Sequence, residues 1–138
     1  MQEIGASRAE RVARGFQALN RHDAGPLLEL LDPQVILIDT QAGNPVGSGA
    51  VASHLSYLAR ALPDLQCELE ELIETGSRLV ARAVLHGTHL GVLGRHAATG
   101  RLVRLPVCVV TEWESDRVST VQLYWDRLVM LEQLGLAW

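Results

Sequence analysis

The sequence predicts an α+β fold in which helices pack on one face of a curved antiparallel sheet. Helical periodicity dominates the chain up to Leu62, interrupted by one short apolar run, and four strand-like segments follow. Helices that precede a run of strands are typical of α+β folds, whereas strands that alternate with helices produce a doubly wound sheet. The length of 138 residues suits one ordinary domain, so we expect residues 1–138 to form a single domain.

Three helices are expected ahead of the main run of strands. A capping box opens the first at Ser7, and apolar residues at helical spacing extend it to Arg21. Asp23 can cap a short second helix, which the Asp-Pro pair ending at Pro33 stops. The third carries an apolar stripe of one residue per turn: Val51, Leu55, Leu58 and Leu62.

The strands are expected where apolar and β-branched runs lie between turn residues. Residues 34–39 form the first, and their four consecutive apolar residues predict a strand with both faces buried. Residues 40–49 are rich in Gly, Asn and Pro and predict a loop. Further strands are expected at 65–75, 78–91, 102–114 and 118–126, with a closing helix at 128–134.

Composition and motifs exclude several classes of function. Apolar residues make up 48% of the chain and charged residues 20%, which excludes a disordered chain. The net charge is −4 without a basic run, so neither nucleic acid nor membrane is an expected partner. Without a zinc pattern or a phosphate loop, we expect no metal or other cofactor. The charged N-terminus lacks a signal core, which favours a cytoplasmic protein.

Six short segments carry a resemblance to a known family. They are residues 16–23 (FQALNRHD), 30–36 (LLDPQVI), 61–65 (ALPDL), 87–91 (GTHLG), 99–101 (TGR) and 131–136 (LEQLGL). Through them the chain resembles the SnoaL-like polyketide cyclases of the nuclear-transport-factor-two-like superfamily. The resemblance implies a cone-shaped α+β barrel of the ketosteroid-isomerase-like kind, whose curved sheet wraps around three N-terminal helices and encloses an apolar pocket.

The resemblance leaves the reaction open, because this superfamily hosts many activities on one scaffold. SnoaL-like cyclases carry an acidic residue on the final strand, and that position is Leu123 here. Ketosteroid isomerases are similar in plan and place a base Asp at the end of the first strand, where this chain has Asp39. Their oxyanion partners are not reproduced. Epoxide-opening cyclases add a Glu after the third helix, for which Glu68 and Glu70 are the candidates.

Asp39 is the first catalytic candidate, and two roles for it stay open. It follows four apolar residues, so its carboxyl is expected at the edge of an apolar surface. A carboxyl in such a place is a better acid or base near neutral pH than one in water. Alternatively, Asp39 opens the following loop with an Asx-type hydrogen bond.

His89 is the second catalytic candidate. It shares a strand with His86, but positions three apart on a strand point to opposite faces, which argues against a shared metal. We expect His89 to act alone, as a pocket donor or proton shuttle. The alternative is an ordinary hydrogen-bonded histidine.

Five residues are expected to contact the ligand: Phe16, His54, Tyr57, Leu123 and Trp125. His54 and Tyr57 lie off the apolar stripe of the third helix, so they either face solvent or border the mouth of the pocket. Trp125 has a large apolar ring with one donor, and it either stacks on the ligand or fills the core.

The acidic residues between 68 and 74 have a plainer explanation than catalysis. By strand alternation Glu68, Glu70 and Leu72 share a face, and Arg82 on the next strand can pair with the carboxylates. That face also carries Val80 and other apolar residues, so we expect a homodimer through the outer face of the sheet.

Together these features favour an enzyme without a cofactor that acts on a small hydrophobic polyketide-, terpenoid- or steroid-like molecule. Isomerisation, cyclisation or epoxide opening would need only a positioned acid or base in a dry pocket. A non-catalytic binder of the same fold and a dimerising interaction module remain the alternatives.

Overall fold

The computed structural model describes residues 7–43, 45–47 and 49–136, and these form four helices and five strands. In chain order they are α1 (Arg8–Leu19), α2 (Gly25–Leu28), β1 (Leu31–Asp39), α3 (Ala50–Ala61), β2 (Gln66–Thr75), β3 (Arg78–Thr88), β4 (Leu102–Glu114), β5 (Arg117–Tyr124) and α4 (Arg127–Leu134). The α+β class and the element order are confirmed. Asn44 and Ser48 of the expected 40–49 loop lie outside the described residues.

The strands form one curved, open sheet in the order β1-β5-β4-β3-β2. β2, β3, β4 and β5 pair with their neighbours in antiparallel fashion, as expected. β1 instead joins β5 in parallel, with Asp39 opposite Leu123 at the end of the ladder. This crossover brings the end of the first strand next to the end of the last one, and the candidate site lies there.

β1 differs from its prediction, because only one of its faces is buried. Val35 and Leu37 are buried, whereas Ile36 between them is 42% exposed. β1 is an edge strand of the sheet, so one face packs on the helices and the other remains open. The strand also begins earlier than expected and contains Pro33, which is tolerated because the ladder is irregular between Leu31 and Ile36.

The predicted cap of α1 is present, whereas the N-cap of α2 is Ala24 and not the predicted Asp23. Ser7 accepts a hydrogen bond from the Glu10 backbone N–H at 3.0 Å, and the buried face of α1 includes Val12 and Phe16. Asp23 accepts from the Gly25 N–H at 2.9 Å ahead of α2. α2 is shorter than expected because the leucines that follow it enter the core and the start of β1.

A bulge in β2 overturns the predicted faces of the acidic segment. The pairing with β3 shifts between Leu69 and Glu71, and an extra residue inverts the alternation beyond it. Leu72 therefore lies opposite Ala81 on the concave face that meets the helices, not on the outer, convex face. Glu71 takes a place opposite Arg82 on the convex face.

The cross-strand ion pairs expected on the convex face are present. Arg82 contacts Glu70 at 2.9 Å and Glu71 at 3.3 Å, and His86 lies 3.1 Å from Glu68. These carboxylates are exposed and face away from the helices. Glu68 and Glu70 therefore do not reach the interior of the molecule.

The core lies between the helices and the concave face of the sheet. One part surrounds Phe16 and Leu79, and the other lies beneath the end of α3 and α4, around Leu62 and Leu134. Space remains between these two parts. No helix among the described residues is long and apolar enough to cross a membrane.

Candidate active site

A cavity of about 770 Å³ lies between the helices and the concave face of the sheet. Its volume falls within the roughly 300–1,000 Å³ common for small-molecule sites. Two regions of its wall differ sharply in chemistry, and we name them the floor and the mouth.

The floor consists of buried apolar side chains from α1, β3 and β5: Val12, Phe16, Leu79, Ala81, Val118 and Val121. Their positions follow from the helical stripe of α1 and from strand alternation. Two further residues that line the cavity, Cys67 and Thr111, offer neither a charge nor an unused hydroxyl donor to a ligand. Burial raises the pKa of the Cys67 thiol to about 11, so it is uncharged at neutral pH. The Thr111 hydroxyl already donates to the Leu79 carbonyl at 2.9 Å and accepts from the Trp113 indole at 2.8 Å.

The mouth consists of polar or partly exposed residues: Asp39, Gln41, His54, Tyr57, Arg95, Trp125 and Arg127. They come from the end of β1, one face of α3, the loop between β3 and β4, and the junction of β5 with α4. A ligand in this cavity therefore meets an apolar interior and a polar entrance.

Asp39 lies in the cavity wall and also holds the loop that follows it. Its Oδ1 accepts hydrogen bonds from the Trp125 indole Nε1–H at 2.8 Å and from the Gln41 backbone N–H at 3.0 Å. In the part of the chain that the structure describes, its Oδ2 accepts no hydrogen bond. The Asx-type hydrogen bond to the following loop is therefore present, and the role of Asp39 as an acid or base stays a prediction.

His54 lies across the mouth on α3. Burial lowers the pKa of its imidazole below the ordinary 6.5, and the Asp39 carboxylate opposes this with a smaller effect in the other direction. The imidazole is therefore neutral at physiological pH. It offers one N–H donor and one nitrogen acceptor beside the carboxyl.

Tyr57 follows one turn later on the same face of α3. Its hydroxyl accepts a hydrogen bond from the backbone N–H of Gly94, in the loop between β3 and β4. The phenolic proton remains free to donate to a ligand. This contact also joins α3 to the loop that forms the opposite rim.

The structure brings the five expected ligand contacts together with Asp39. Phe16 lies on the floor, Leu123 lies beside Asp39 in the ladder, and His54, Tyr57 and Trp125 lie at the mouth. Their roles in binding remain predictions. Asp126, which directly follows Trp125, caps α4 instead by accepting from the N–H groups of Leu128 and Val129.

His89 does not join this group. It is 0% exposed and does not line the cavity. Its Nδ1 lies 2.9 Å from the Thr99 hydroxyl and accepts from the Thr99 N–H at 3.2 Å, which ties the chain across the loop between β3 and β4. The expectation that His89 donates to a ligand or shuttles protons in the pocket does not fit this placement.

Four polar residues of the cavity wall were not predicted as ligand contacts from the sequence: Gln41, Arg95, His96 and Arg127. Two lie in the loop between β3 and β4, whose course the sequence does not define. The sequence did contain one indication for Arg127. It lies in the first turn of α4, where the helix dipole disfavours a cation, and such an unfavourable position can indicate a role in binding.

The sequence matches the SnoaL-like polyketide cyclase family over residues 10–134. The chain belongs to this family. No curated protein sequence matches it at a significant level. Position 123 on the final strand is a leucine and not an acid. Among the described residues, Asp39 is therefore the one carboxylate in the cavity wall.

Solved structures share the SnoaL-like fold at low identity. AclR from Streptomyces galilaeus, described as a candidate hydroxylase, is 23% identical with a TM-score of 0.82, covering 95% of this chain and 88% of its own. IdmH from Streptomyces antibioticus, described as a candidate polyketide cyclase, is 21% identical with a TM-score of 0.80, covering 94% and 99%. TsrD from Streptomyces laurentii is 21% identical with a TM-score of 0.82, covering 99% and 100%. These likenesses confirm the cone-shaped fold.

Proposed function

We propose that the protein is a cofactor-independent enzyme that acts on a small hydrophobic polyketide-, terpenoid- or steroid-like molecule by acid/base catalysis. The observation that carries this proposal is the Asp39 carboxyl, which lies in the cavity wall, is held at Oδ1 by two N–H donors and accepts no hydrogen bond at Oδ2 from the described residues. A carboxylate fixed in this way is positioned to accept a proton.

The chemistry that fits best is proton abstraction next to a carbonyl. Oδ2 of Asp39 takes the proton, the electron pair of the C–H bond forms the C=C bond of an enolate, and the carbonyl oxygen becomes negative. The neutral His54 N–H and the Tyr57 O–H are the donors available to that oxygen. Return of the proton to another carbon gives isomerisation, and attack of the enolate carbon on a second carbonyl closes a ring.

The floor supports the choice of substrate class. Its buried side chains offer dispersion contacts and no free hydrogen-bonding group, which suits a fused-ring or isoprenoid skeleton. Membership of the SnoaL-like cyclase family and the likeness to IdmH favour a polyketide among these. Epoxide opening would use the same carboxyl to activate a nucleophile.

The test is hydrogen exchange at the carbon next to the carbonyl in a panel of polycyclic ketones, followed by NMR in D₂O. We expect the wild type to accelerate exchange with at least one ketone and Asp39→Asn to lose this. Asp116→Asn, in the exposed turn between β4 and β5, is the matched control and should behave as the wild type. Exchange no faster than in buffer with every ketone would contradict the proposal.

A non-catalytic binder is the second candidate, and Leu123 is the observation that favours it. An apolar residue occupies the place where the cyclases carry an acid on the final strand, so the pocket has fewer proton-transfer groups than theirs. A ligand that binds in the cavity without exchange or turnover would put this function first.

We also propose a homodimer in the cytoplasm, formed through the convex face of the sheet. Ile73 and Leu102 on that face are 48% and 74% exposed. Ion pairs such as that of Arg78 with Glu112, at 2.8 Å, leave a mixture of charges that can complement a second copy. Light scattering at micromolar concentration should give twice the chain mass, and Val110→Arg at the centre of the face should give the monomer. A wild-type monomer would contradict the proposal.

A further inference from the structure

The charges at the mouth are unbalanced in a way that the proposed reaction does not use. Three residues of the cavity wall carry a guanidinium or carboxylate group: Asp39, Arg95 and Arg127. Cations therefore outnumber anions at the entrance, although the whole chain carries a net charge of −4. A positive entrance on a negative protein indicates that the entrance is matched to something outside the protein.

Neither arginine side chain has a partner among the described residues of the protein. Within the described residues, Arg95 and Arg127 form no ion pair and no side-chain hydrogen bond. Other arginines of the same chain do so, as Arg78 does with Glu112 and Arg82 with Glu70. The two guanidinium groups are thus free to bind a ligand.

Their neighbours hold both arginines at the rim. Arg95 follows Gly94, whose N–H donates to the Tyr57 hydroxyl. Arg127 comes two residues after Trp125, whose indole donates to Asp39. Each arginine is therefore attached to a segment that is hydrogen-bonded to a mouth residue.

Helix stability does not account for Arg127. It begins α4, where the backbone dipole favours an anion, and no acidic residue follows in the first turn. The Asp126 carboxylate at the N-cap supplies the anion that the dipole favours, so Arg127 adds no stabilisation to the helix, while its side chain lines the cavity. This placement is typical of a residue retained for binding.

We infer that the ligand of this cavity carries an anionic oxygen group on an apolar skeleton, and that Arg95 and Arg127 bind that group at the mouth while the floor buries the skeleton. The group is a carboxylate, an ionised phenol or an ionised enol, since each of these presents an oxygen anion to a guanidinium. This inference rests on the proposed use of the cavity as the ligand site, and it adds the charge of the substrate.

Two fluorescent probes test separately whether the cavity is a ligand site and whether its ligand is anionic. Anilinonaphthalene sulfonate is an apolar anion, and phenylnaphthylamine has the same ring skeleton without the sulfonate. Titration of the folded protein at low and high salt gives both affinities, with circular dichroism as the check on folding. We expect both probes to bind, the anion more tightly, and only the anion to weaken as salt rises.

The variants then assign the charge to the two arginines. Arg95→Gln and Arg127→Gln should each weaken sulfonate binding about 3- to 10-fold, as expected for a partly solvated charged contact, and leave the neutral probe unchanged. Arg21→Gln, on an exposed arginine outside the cavity, is the matched control and should change neither.

Each outcome bears on one idea or the other. If neither probe binds, both the cavity site and the inference fail. If the neutral probe binds as tightly as the anion, or if the arginine variants bind both probes as the wild type does, the inference alone fails.

Anthraquinone carboxylate, its methyl ester and hydroxyanthraquinone then distinguish the source of the charge. Preference for the acid over its ester indicates a carboxylate, and a phenol that gains affinity as it ionises indicates a phenolate. Equal binding of all three contradicts the inference.

Discussion

The floor and the mouth of the cavity belong to one site, but different forces shape them. Floor residues such as Leu79 and Val118 are fully buried and belong to the hydrophobic core. Mouth residues such as Asp39 and Tyr57 are partly exposed, and hydrogen bonds hold them in position. The same sheet thus presents packed apolar side chains at one end of the cavity and polar groups at the other.

This difference separates stability from function. A buried leucine contributes to folding in proportion to the apolar area and packing it provides. An exposed arginine or a half-buried carboxyl contributes little to folding and is free to be chosen for binding or catalysis. Truncations on the floor should therefore lower the unfolding free energy, and substitutions of polar groups at the mouth should change affinity or rate.

Truncation on the floor is expected to give the largest change in stability. Leu79 is 0% exposed in the middle of the sheet, so Leu79→Ala should lower the unfolding free energy by about 2–5 kcal/mol. Gln41→Ala is the matched change at the mouth, where the Asp39 contact uses the backbone N–H, and should stay within about 0.5 kcal/mol of the wild type. Urea unfolding of both measures the contrast, and equal losses would break the distinction between the two regions.

Filling the cavity from the floor should weaken ligand binding without loss of the fold. Ala81 is buried, points to the concave face and lines the cavity, so the ring in Ala81→Phe has empty space to enter. We expect the affinity for phenylnaphthylamine to fall more than about tenfold, which corresponds to about 1.4 kcal/mol. Val80→Phe places the same ring on the convex face and should bind normally. A marked loss of stability in Ala81→Phe, with binding intact, would show that the cavity is not the ligand site.

The smallest expected effect is a pH dependence due to His54. Its pKa is lower in the folded chain than the ordinary 6.5, so below about pH 6.5 the unfolded chain binds a proton that the folded chain does not. The free energy of unfolding therefore falls as the pH decreases through this range. Urea unfolding of the wild type and His54→Gln between pH 7.5 and 5.5 should show a shallower decline in the variant. Parallel pH profiles would contradict the burial of a neutral imidazole.

Much of the fold was predictable because local patterns determine it. The Ser7 cap, the apolar stripe of α3 and the pairing of Arg82 with acidic residues all follow from spacing along one or two elements. The bulge beyond Leu69 was not predictable, since it depends on how two strands fit together rather than on composition. The exposed face of β1 was missed because an apolar run looks the same in an edge strand and in a buried one.

The candidate site was predictable in its members more than in its arrangement. Helical spacing placed His54 and Tyr57 off the stripe of α3, but it does not show whether that side of the helix meets solvent or a cavity. Strand alternation directs His89 inward, but His89 lies just beyond the end of β3, and its hydrogen bonds to Thr99 depend on the course of the following loop. Arg95 was missed because its loop has no periodicity from which a direction follows.

The central claim is that Asp39 does chemistry at the mouth while the floor only binds, and one variant tests it most directly. The amide oxygen in Asp39→Asn can still accept from the Trp125 indole and the Gln41 N–H, but the side chain cannot take a proton at neutral pH. We predict that kcat falls by about 10²- to 10⁴-fold, while Tm and the dissociation constant of the neutral probe stay close to the wild type. An unchanged kcat, with a loss of about 1 kcal/mol in stability from the weakened hydrogen bonds, would contradict the claim and leave Asp39 as a loop cap.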